Sequence, residues 1–143
     1  MATERHAEVV WQGDLMNGSG TIGEVGSGAF GPLDVSWPLR AEEPNGKTSP
    51  EELIAAGWAA CFAMALSHGL AQAGNPPEKL ETSATVTFQP GEGIIKGALT
   101  VRGTVPGLDE DGFKEAANGA KENCPVSKAL AGIPEVTLEA TLA

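Results

Sequence analysis

The two cysteines are the side chains of this sequence best suited to covalent chemistry. Cys61 lies in the middle of an apolar run, Leu53 to Leu66, which is typical of a buried helix. Cys124 lies in Asn-Cys-Pro-Val-Ser-Lys, at the predicted start of a short helix. Such a distant pair is structural, metal-binding or redox-active, and the surrounding residues favour redox chemistry.

The context of Cys124 favours a thiolate. Pro125 restricts the preceding residue to extended geometry and suits the first turn of a helix, so Cys124 is a predicted N-cap. Free backbone N–H groups at a helix start stabilise a thiolate. The alternative is that Cys124 is a small, buried apolar residue.

Cys61 needs a nearby cation to be nucleophilic, because burial among apolar groups raises the pKa of a thiol. Of the three arginines in the chain, Arg40 is the best placed, since it follows a predicted strand and begins the loop into the long helix. An ordinary solvated arginine remains the alternative.

Glu51 is the natural partner for Arg40, because a carboxylate orients a guanidinium group. However, Glu51 and Cys61 are ten residues apart on the predicted helix, which corresponds to about 15 Å of rise. Either Glu51 serves only the helix N-terminus, or the site takes Glu51 from a second chain, whose helix would pack antiparallel to the first.

Other kinds of site are disfavoured by spacing. Cys61 and His68 are seven residues apart, which matches no zinc motif and places a cysteine–histidine pair about 10 Å apart on a helix. The glycine-rich stretch 18–28 has turn signals but lacks the Gly-Lys-Ser/Thr of a phosphate loop. No metal site is therefore predicted.

Composition limits the partners and the compartment. The formal net charge is −10 and the pI is near 4.5, which argue against binding to nucleic acid or to anionic membranes. The polar N-terminus does not resemble a signal peptide, and the apolar run is too short to span a bilayer. We therefore expect a cytoplasmic protein in which any disulfide is transient.

The predicted elements form one α+β domain over residues 1–143. Small residues and apolar residues on every face predict that the long helix is buried all round, between a sheet and a second helix. In chain order, the predicted elements are three short strands between Arg5 and Arg40, a helix from Pro50 to about Ala73, a β-meander from Thr82 to Val105, helices at 109–123 and 126–131, and a strand at 137–142.

Two motifs resemble the OsmC/Ohr family of bacterial thiol peroxidases, and more closely its OsmC subgroup. They are Thr-Ser-Pro-Glu-Glu-Leu-Ile-Ala-Ala-Gly-Trp-Ala-Ala-Cys-Phe-Ala-Met-Ala-Leu-Ser at 48–67 and Asn-Cys-Pro-Val-Ser-Lys-Ala-Leu at 123–130. The subgroup is indicated by an arginine just before the long helix, at Arg40, and by none in the glycine-rich region. Trp58 is a departure from the family pattern, and it either narrows the pocket or faces the core.

The resemblance implies an intertwined homodimer with two antiparallel β-meanders, a long central helix and active sites at the interface. It implies reduction of organic hydroperoxides, and of hydrogen peroxide in some members, without metal or haem. Cys61 is then the peroxidatic cysteine, Cys124 the resolving cysteine, and Arg40 and Glu51 the activating pair. The reductant is an external dithiol, such as a lipoylated protein.

Two non-catalytic alternatives remain open from sequence. One is a stress protein whose two cysteines form a redox-sensing or structural disulfide. The other is a module that binds a small hydrophobic ligand in an apolar dimer cleft, with the cysteines as bystanders.

Overall fold

The computed structural model describes all 143 residues, and the chain divides into two compact units. Unit 1 comprises Met1–Pro50 and unit 2 comprises Glu51–Ala143.

Unit 1 contains a small antiparallel sheet and one turn of helix. The strands are β1 (Val9–Gln12), β2 (Ser19–Ile22) and β3 (Leu33–Val35), in that spatial order, followed by helix α1 (Trp37–Ala41). The prediction of a strand that ends at Leu39, just before Arg40, is therefore wrong. Pro38 explains the difference, because it has no N–H for a strand ladder and its fixed φ suits the first turn of a helix. Arg40 thus lies in the last turn of α1, where a positive charge is favourable.

Unit 2 is built on a three-stranded sheet with three helices. Its elements are α2 (beginning at Pro50 and ending at Gln72), β4 (Lys79–Gln89), β5 (Gly93–Thr104), α3 (Glu110–Asn123), α4 (Pro125–Ala129) and β6 (Glu135–Leu142). Strands β4 and β5 form an antiparallel hairpin where a β-meander is predicted, at 82–105.

Strand β6 pairs with β5 in parallel, so the second sheet is mixed rather than purely antiparallel. The α+β fold with two sheets and a long helix is confirmed, but the second sheet differs from the predicted meander in this strand. The reason is the connection: α3 and α4 carry the chain back along the sheet, as a parallel pair requires. Because of this crossover, α4 begins in the layer of helices that packs on the sheet.

Local signals set the ends of the helices. Asp109 caps α3, its carboxylate accepting a hydrogen bond from the Gly112 N–H at 2.8 Å. Gly74, which follows the end of α2 and has a φ of +87°, terminates this helix, and the Asn75 N–H donates to the Leu70 carbonyl at 2.9 Å.

One face of α2 is buried and the opposite face is exposed. Trp58, Phe62, Leu66 and Leu70 recur every four residues and pack into the core of unit 2. The exposed apolar face comprises Ala56, Gly57, Ala60, Met64 and Ala71, with Met64 71% exposed. The prediction of burial all round is therefore wrong for a single chain, because one sheet covers only one side of a helix.

Helix α2 is also longer than the apolar run at its centre. By length and composition alone, its 23 residues are apolar enough to cross a membrane, with a mean hydropathy of 1.6 over 18 residues. The expectation that this segment is too short to span a bilayer does not hold for the whole helix. Core helices of globular proteins pass the same test, and four residues of α2 are fully buried in the unit 2 core.

Two glycines of β5 make room for the largest aromatic side chains of the helices. A Cβ at Gly97 would lie 2.4 Å from the ring of Trp58, and one at Gly103 would lie 2.5 Å from the ring of Phe113. Each ring therefore sits directly on the strand backbone, which fixes α2 and α3 against the sheet.

We expect Gly97→Ala to lower the free energy of unfolding by about 1–3 kcal/mol, because the new methyl group overlaps the Trp58 ring. Urea denaturation measures the change. Gly69→Ala is the matched control, since no atom lies within 4 Å of its added Cβ and alanine favours a helix. A Gly97→Ala variant as stable as the wild type would contradict the seating of Trp58 on β5.

Candidate active site

The two cysteines meet although 63 residues separate them in the chain. Their Sγ atoms are 3.0 Å apart, and both are free thiols. Cys61 is half-buried in the middle of α2, whereas Cys124 is fully buried at the start of α4. At this separation, small side-chain rotations bring the two sulfurs into bonding distance.

The backbone around Cys124 has the predicted N-cap geometry. Cys124 is extended (φ −57°, ψ 124°), and Pro125 occupies the first turn of α4. The Cys124 N–H donates to the Ala120 carbonyl at 2.8 Å, and its own carbonyl accepts from the Lys128 N–H at 3.0 Å. The cysteine is thus fixed at the junction of two helices.

Burial raises the pKa of the Cys61 thiol, and the neighbouring Cys124 raises it further by hydrogen bonding and by charge. The backbone N–H of Val126 opposes this rise. The net effect of these groups in unit 2 is a pKa of Cys61 above its ordinary value.

Burial also acts to raise the pKa of Cys124, but hydrogen bonds outweigh it and lower the pKa below its ordinary value. The largest lowering effect on the pKa comes from the Cys61 thiol, and smaller ones come from Ser127 and Val126 at the start of α4. The position of the two sulfurs alone would let either thiol donate.

Trp58 faces the core rather than a pocket. It is only 1% exposed, and its Nε1–H donates to the Ser127 Oγ at 2.8 Å. Sequence reasoning noted Trp58 but missed its hydrogen bond to Ser127, which lies in the short helix that follows Cys124. The available signal was general: a buried indole N–H usually finds a hydrogen-bond partner.

Glu51 lies in the first turn of α2 and is only 6% exposed. No buried polar side-chain atom in the structure lacks a hydrogen-bond partner. Because α2 is one continuous helix, Glu51 and Cys61 of one chain are about 15 Å apart along its axis. Arg40 belongs to unit 1. The two predicted cysteines of the site are in contact with each other.

An apolar groove lies between α2 and α3 in unit 2. Its volume is about 730 Å³, and it runs from Ala73 and Leu108 to Asn123 and Pro125, beside Cys124. His68 lines this groove on the exposed side of α2. No three histidine, cysteine, aspartate or glutamate side chains lie together in a way that could hold a metal ion.

Comparison with known proteins places this arrangement in a family. The family model described as OsmC-like protein matches residues 43–139, a range that includes both cysteines. The chain belongs to the OsmC-like family. The predicted resemblance is therefore confirmed at the level of the family.

Members of the OsmC-like family align with the chain over most of its length. The chain is 38% identical to the peroxiredoxin OsmC of Escherichia coli (strain K12) over 142 residues, or 97% of this chain and 96% of that protein. It is 37% identical to the organic hydroperoxide resistance protein OhrB of Bacillus subtilis (strain 168) over 109 residues, 75% and 79% of the two chains. The fuller match to the OsmC protein agrees with the predicted subgroup.

The fold agrees with that of a solved structure of the same family. The crystal structure of an organic hydroperoxide resistance protein OsmC from Legionella pneumophila has a TM-score of 0.68, 27% identity and 96% coverage of both chains.

We expect mild oxidation to join Cys61 and Cys124 within one chain, because the sulfurs are already in contact. Intact mass should fall by two hydrogens with no covalent dimer on non-reducing gels, and peptide mapping should show the Cys61–Cys124 link. Cys61→Ser is the control, and it should keep one titratable thiol. A disulfide between chains as the main product would contradict the contact.

Proposed function

We propose that this protein is a thiol-dependent peroxidase that reduces organic hydroperoxides, with Cys61 as the peroxidatic and Cys124 as the resolving cysteine. The observation that carries this proposal is the 3.0 Å contact between the two sulfurs in a chain of the OsmC-like family. Named relatives, a peroxiredoxin and an organic hydroperoxide resistance protein, support the reaction class.

The first step is attack by the Cys61 thiolate on the peroxide. The sulfur bonds to one oxygen, the O–O bond breaks, and the alkoxide leaves and takes a proton to become an alcohol. Cys61 is then a sulfenic acid. Cys61 packs against the hydrophobic core of unit 2, and apolar surroundings suit an alkyl hydroperoxide better than hydrogen peroxide, which is a second possible substrate.

The second step is resolution by Cys124. Its sulfur attacks the Cys61 sulfur, the S–O bond breaks, and hydroxide leaves and is protonated to water. The resulting disulfide is reopened by an external dithiol of the lipoyl type, which is oxidised to its own disulfide. The protein itself needs no bound cofactor for this cycle.

Arg40 is the cation that this mechanism assigns to Cys61, and Glu51 is the carboxylate that orients it. Support comes from the chemistry of the site: the pKa of Cys61 is raised within unit 2, so peroxide attack near neutral pH needs a positive charge from elsewhere. Glu51 is too far along α2 to serve the Cys61 of its own chain.

A homodimer with the site at its interface removes this separation between Glu51 and Cys61. The α2 of the second subunit, packed antiparallel to the first, brings its own Glu51 toward Cys61. The exposed apolar face of α2 supports this assembly, since such a stripe of small residues allows close helix packing. Strand β1 adds a second apolar surface, with Val9 57% and Val10 67% exposed. The whole chain, residues 1–143, then acts as a single OsmC-like domain in each subunit.

The proposed location is the cytoplasm, where a cysteine pair of this kind stays reduced between turnovers. The net charge of −10 also disfavours nucleic acid and anionic membranes as partners.

We expect the pre-reduced wild type to consume cumene hydroperoxide catalytically with dihydrolipoamide as donor. Cys61→Ser should have no turnover, because it lacks the attacking sulfur, while Cys124→Ser should consume one equivalent and stop. A coupled assay of donor oxidation measures the rates. No turnover by the wild type with any dithiol would contradict the peroxidase, and reversible disulfide formation without turnover would instead assign a redox sensor.

We expect Glu51→Gln and Cys61→Ser subunits, each inactive alone, to regain partial activity when they are mixed and allowed to exchange. In a mixed dimer, one site would combine Cys61 of the first variant with Glu51 of the second. Light scattering checks that dimers form, and Met64→Glu, on the exposed face of α2, should prevent both dimerisation and recovery. Dimers that exchange without recovery would contradict a shared site.

A further inference from the structure

Asparagine followed by glycine occurs three times in the chain, at Asn17–Gly18, Asn45–Gly46 and Asn118–Gly119. Such a pair is chemically labile, because the backbone nitrogen of the second residue can attack the side-chain amide carbon of the asparagine. Glycine has no side chain to obstruct the approach. The attack needs an unrestrained asparagine side chain and an accessible backbone N–H, so the structure around each pair determines which of the three reacts.

The pair at Asn17 is restrained at both reacting groups. The Asn17 side-chain Nδ2 donates to the Asp14 carboxylate at 3.4 Å, and the Asn17 backbone N–H donates to the same carboxylate at 2.7 Å. The Gly18 N–H donates to the Asp14 carbonyl at 2.8 Å. Hydrogen bonds must therefore break before the amide carbon and the attacking nitrogen can react.

The pair at Asn118 is restrained by a helix. It lies inside α3, where backbone N–H groups such as that of Gly119 are engaged in the helical hydrogen-bond ladder. The Asn118 side-chain Nδ2 also donates to the Lys114 carbonyl at 3.0 Å. Attack at this position requires α3 to open locally.

The pair at Asn45 has neither restraint. Asn45 and Gly46 occupy the two central positions of an exposed turn, which the Lys47 N–H closes by donating to the Pro44 carbonyl at 2.9 Å. Their φ values of +47° and +76° are ones that asparagine and glycine adopt most easily, which explains why this labile pair occupies the turn. The structure shows no hydrogen bond to the Asn45 side chain or to the Gly46 N–H. Apart from its two chain neighbours, no heavy atom lies within 4 Å of a Cβ added at Gly46, so nothing crowds the attacking residue.

We propose that Asn45 is a site of spontaneous deamidation that yields aspartate and isoaspartate. The Gly46 nitrogen loses its proton and bonds to the Asn45 amide carbon, the bond from that carbon to the NH2 group breaks, and ammonia leaves with the proton. Water then opens the resulting five-membered imide at either of its carbonyls. Opening at the side-chain carbonyl gives aspartate, and opening at the main-chain carbonyl gives isoaspartate, in which the chain continues through the former side chain.

Both products place a new negative charge in the segment between Arg40 and Glu51, the activating pair of the proposed function, on which this consequence rests. Isoaspartate also inserts a methylene group into the main chain of the turn that ends at Lys47, whose Nζ is 3.1 Å from the Asp34 Oδ2 on β3. A negative charge beside a cation weakens the stabilisation that the cation gives to a thiolate. Deamidation at Asn45 therefore lowers the peroxidase activity of ageing protein.

Incubation of the purified wild type at physiological temperature and mildly alkaline pH, followed by peptide mapping, tests the site without any turnover. We expect Asn45 to convert at least about tenfold faster than Asn17 and Asn118, because hydrogen bonds must first open at the other two sites. The rate should rise with pH, since the Gly46 nitrogen attacks after losing its proton, and labelling with isoaspartate methyltransferase should locate the isoaspartate. No conversion at Asn45, or equally fast conversion at Asn17 or Asn118, would overturn the proposal.

Two variants test the physical reason for this selectivity, with thermal denaturation as the control for folding. Asn45→Gln should remove the modification at position 45 and leave the other two sites as in the wild type, because the longer side chain would have to close a larger ring. Asp14→Ala removes the side-chain hydrogen bonds of Asn17 and should accelerate deamidation there alone. An unchanged rate at Asn17 in Asp14→Ala would overturn the assignment of selectivity to hydrogen bonding.

The effect on the proposed peroxidase is measured with fresh and aged samples of the wild type and Asn45→Gln, stored with a reductant so that both cysteines stay free. We expect aged wild type to lose activity in proportion to its converted Asn45, whereas aged Asn45→Gln keeps the activity of the fresh variant. Equal losses in both proteins, or full activity in converted wild type, would overturn the effect on the site. If fresh wild type has no turnover, the proposed function fails, and the peptide map still decides whether Asn45 is the modification site.

Discussion

The contact between the Cys61 and Cys124 sulfurs is the constraint on which the rest of the site depends. It requires the middle of a long helix to lie against the first residue of a short one, and 63 residues separate the two points in sequence. The parallel pairing of β5 and β6 returns the chain over the sheet, so that α4 begins beside α2. Trp58 then ties the two helices together through Ser127.

The pKa values of the two cysteines are shifted in opposite directions, because different groups surround the two sulfurs. The pKa of Cys124 is lowered by Cys61 and by groups at the start of α4, although the side chain is fully buried. Cys61 is in the middle of a helix whose own N–H groups are used, and its pKa is raised. In the proposed cycle, Cys61 therefore needs a cation from outside unit 2 to attack the peroxide, whereas the surroundings of Cys124 already favour its thiolate.

Features that depend on a few neighbouring residues could be predicted from the sequence, and features that depend on packing could not. The start of α2, the cap at Asp109 and the N-cap at Cys124 are local, and the structure has all three. The one-sided burial of α2 and the parallel β6 depend on how the sheet and crossover pack. The short helix at Trp37 was missed although Pro38 was a local signal for it, and the Trp58–Ser127 hydrogen bond joins distant segments.

The most direct test of the central claim is to trap the oxidised sulfur. Pre-reduced Cys124→Ser protein would receive one equivalent of cumene hydroperoxide in the presence of dimedone, which reacts with sulfenic acids, followed by peptide mass spectrometry. The account predicts one dimedone adduct, on Cys61, formed on the timescale of peroxide loss. Peroxide loss without an adduct on Cys61, or an unmodified protein with the peroxide intact, would contradict it.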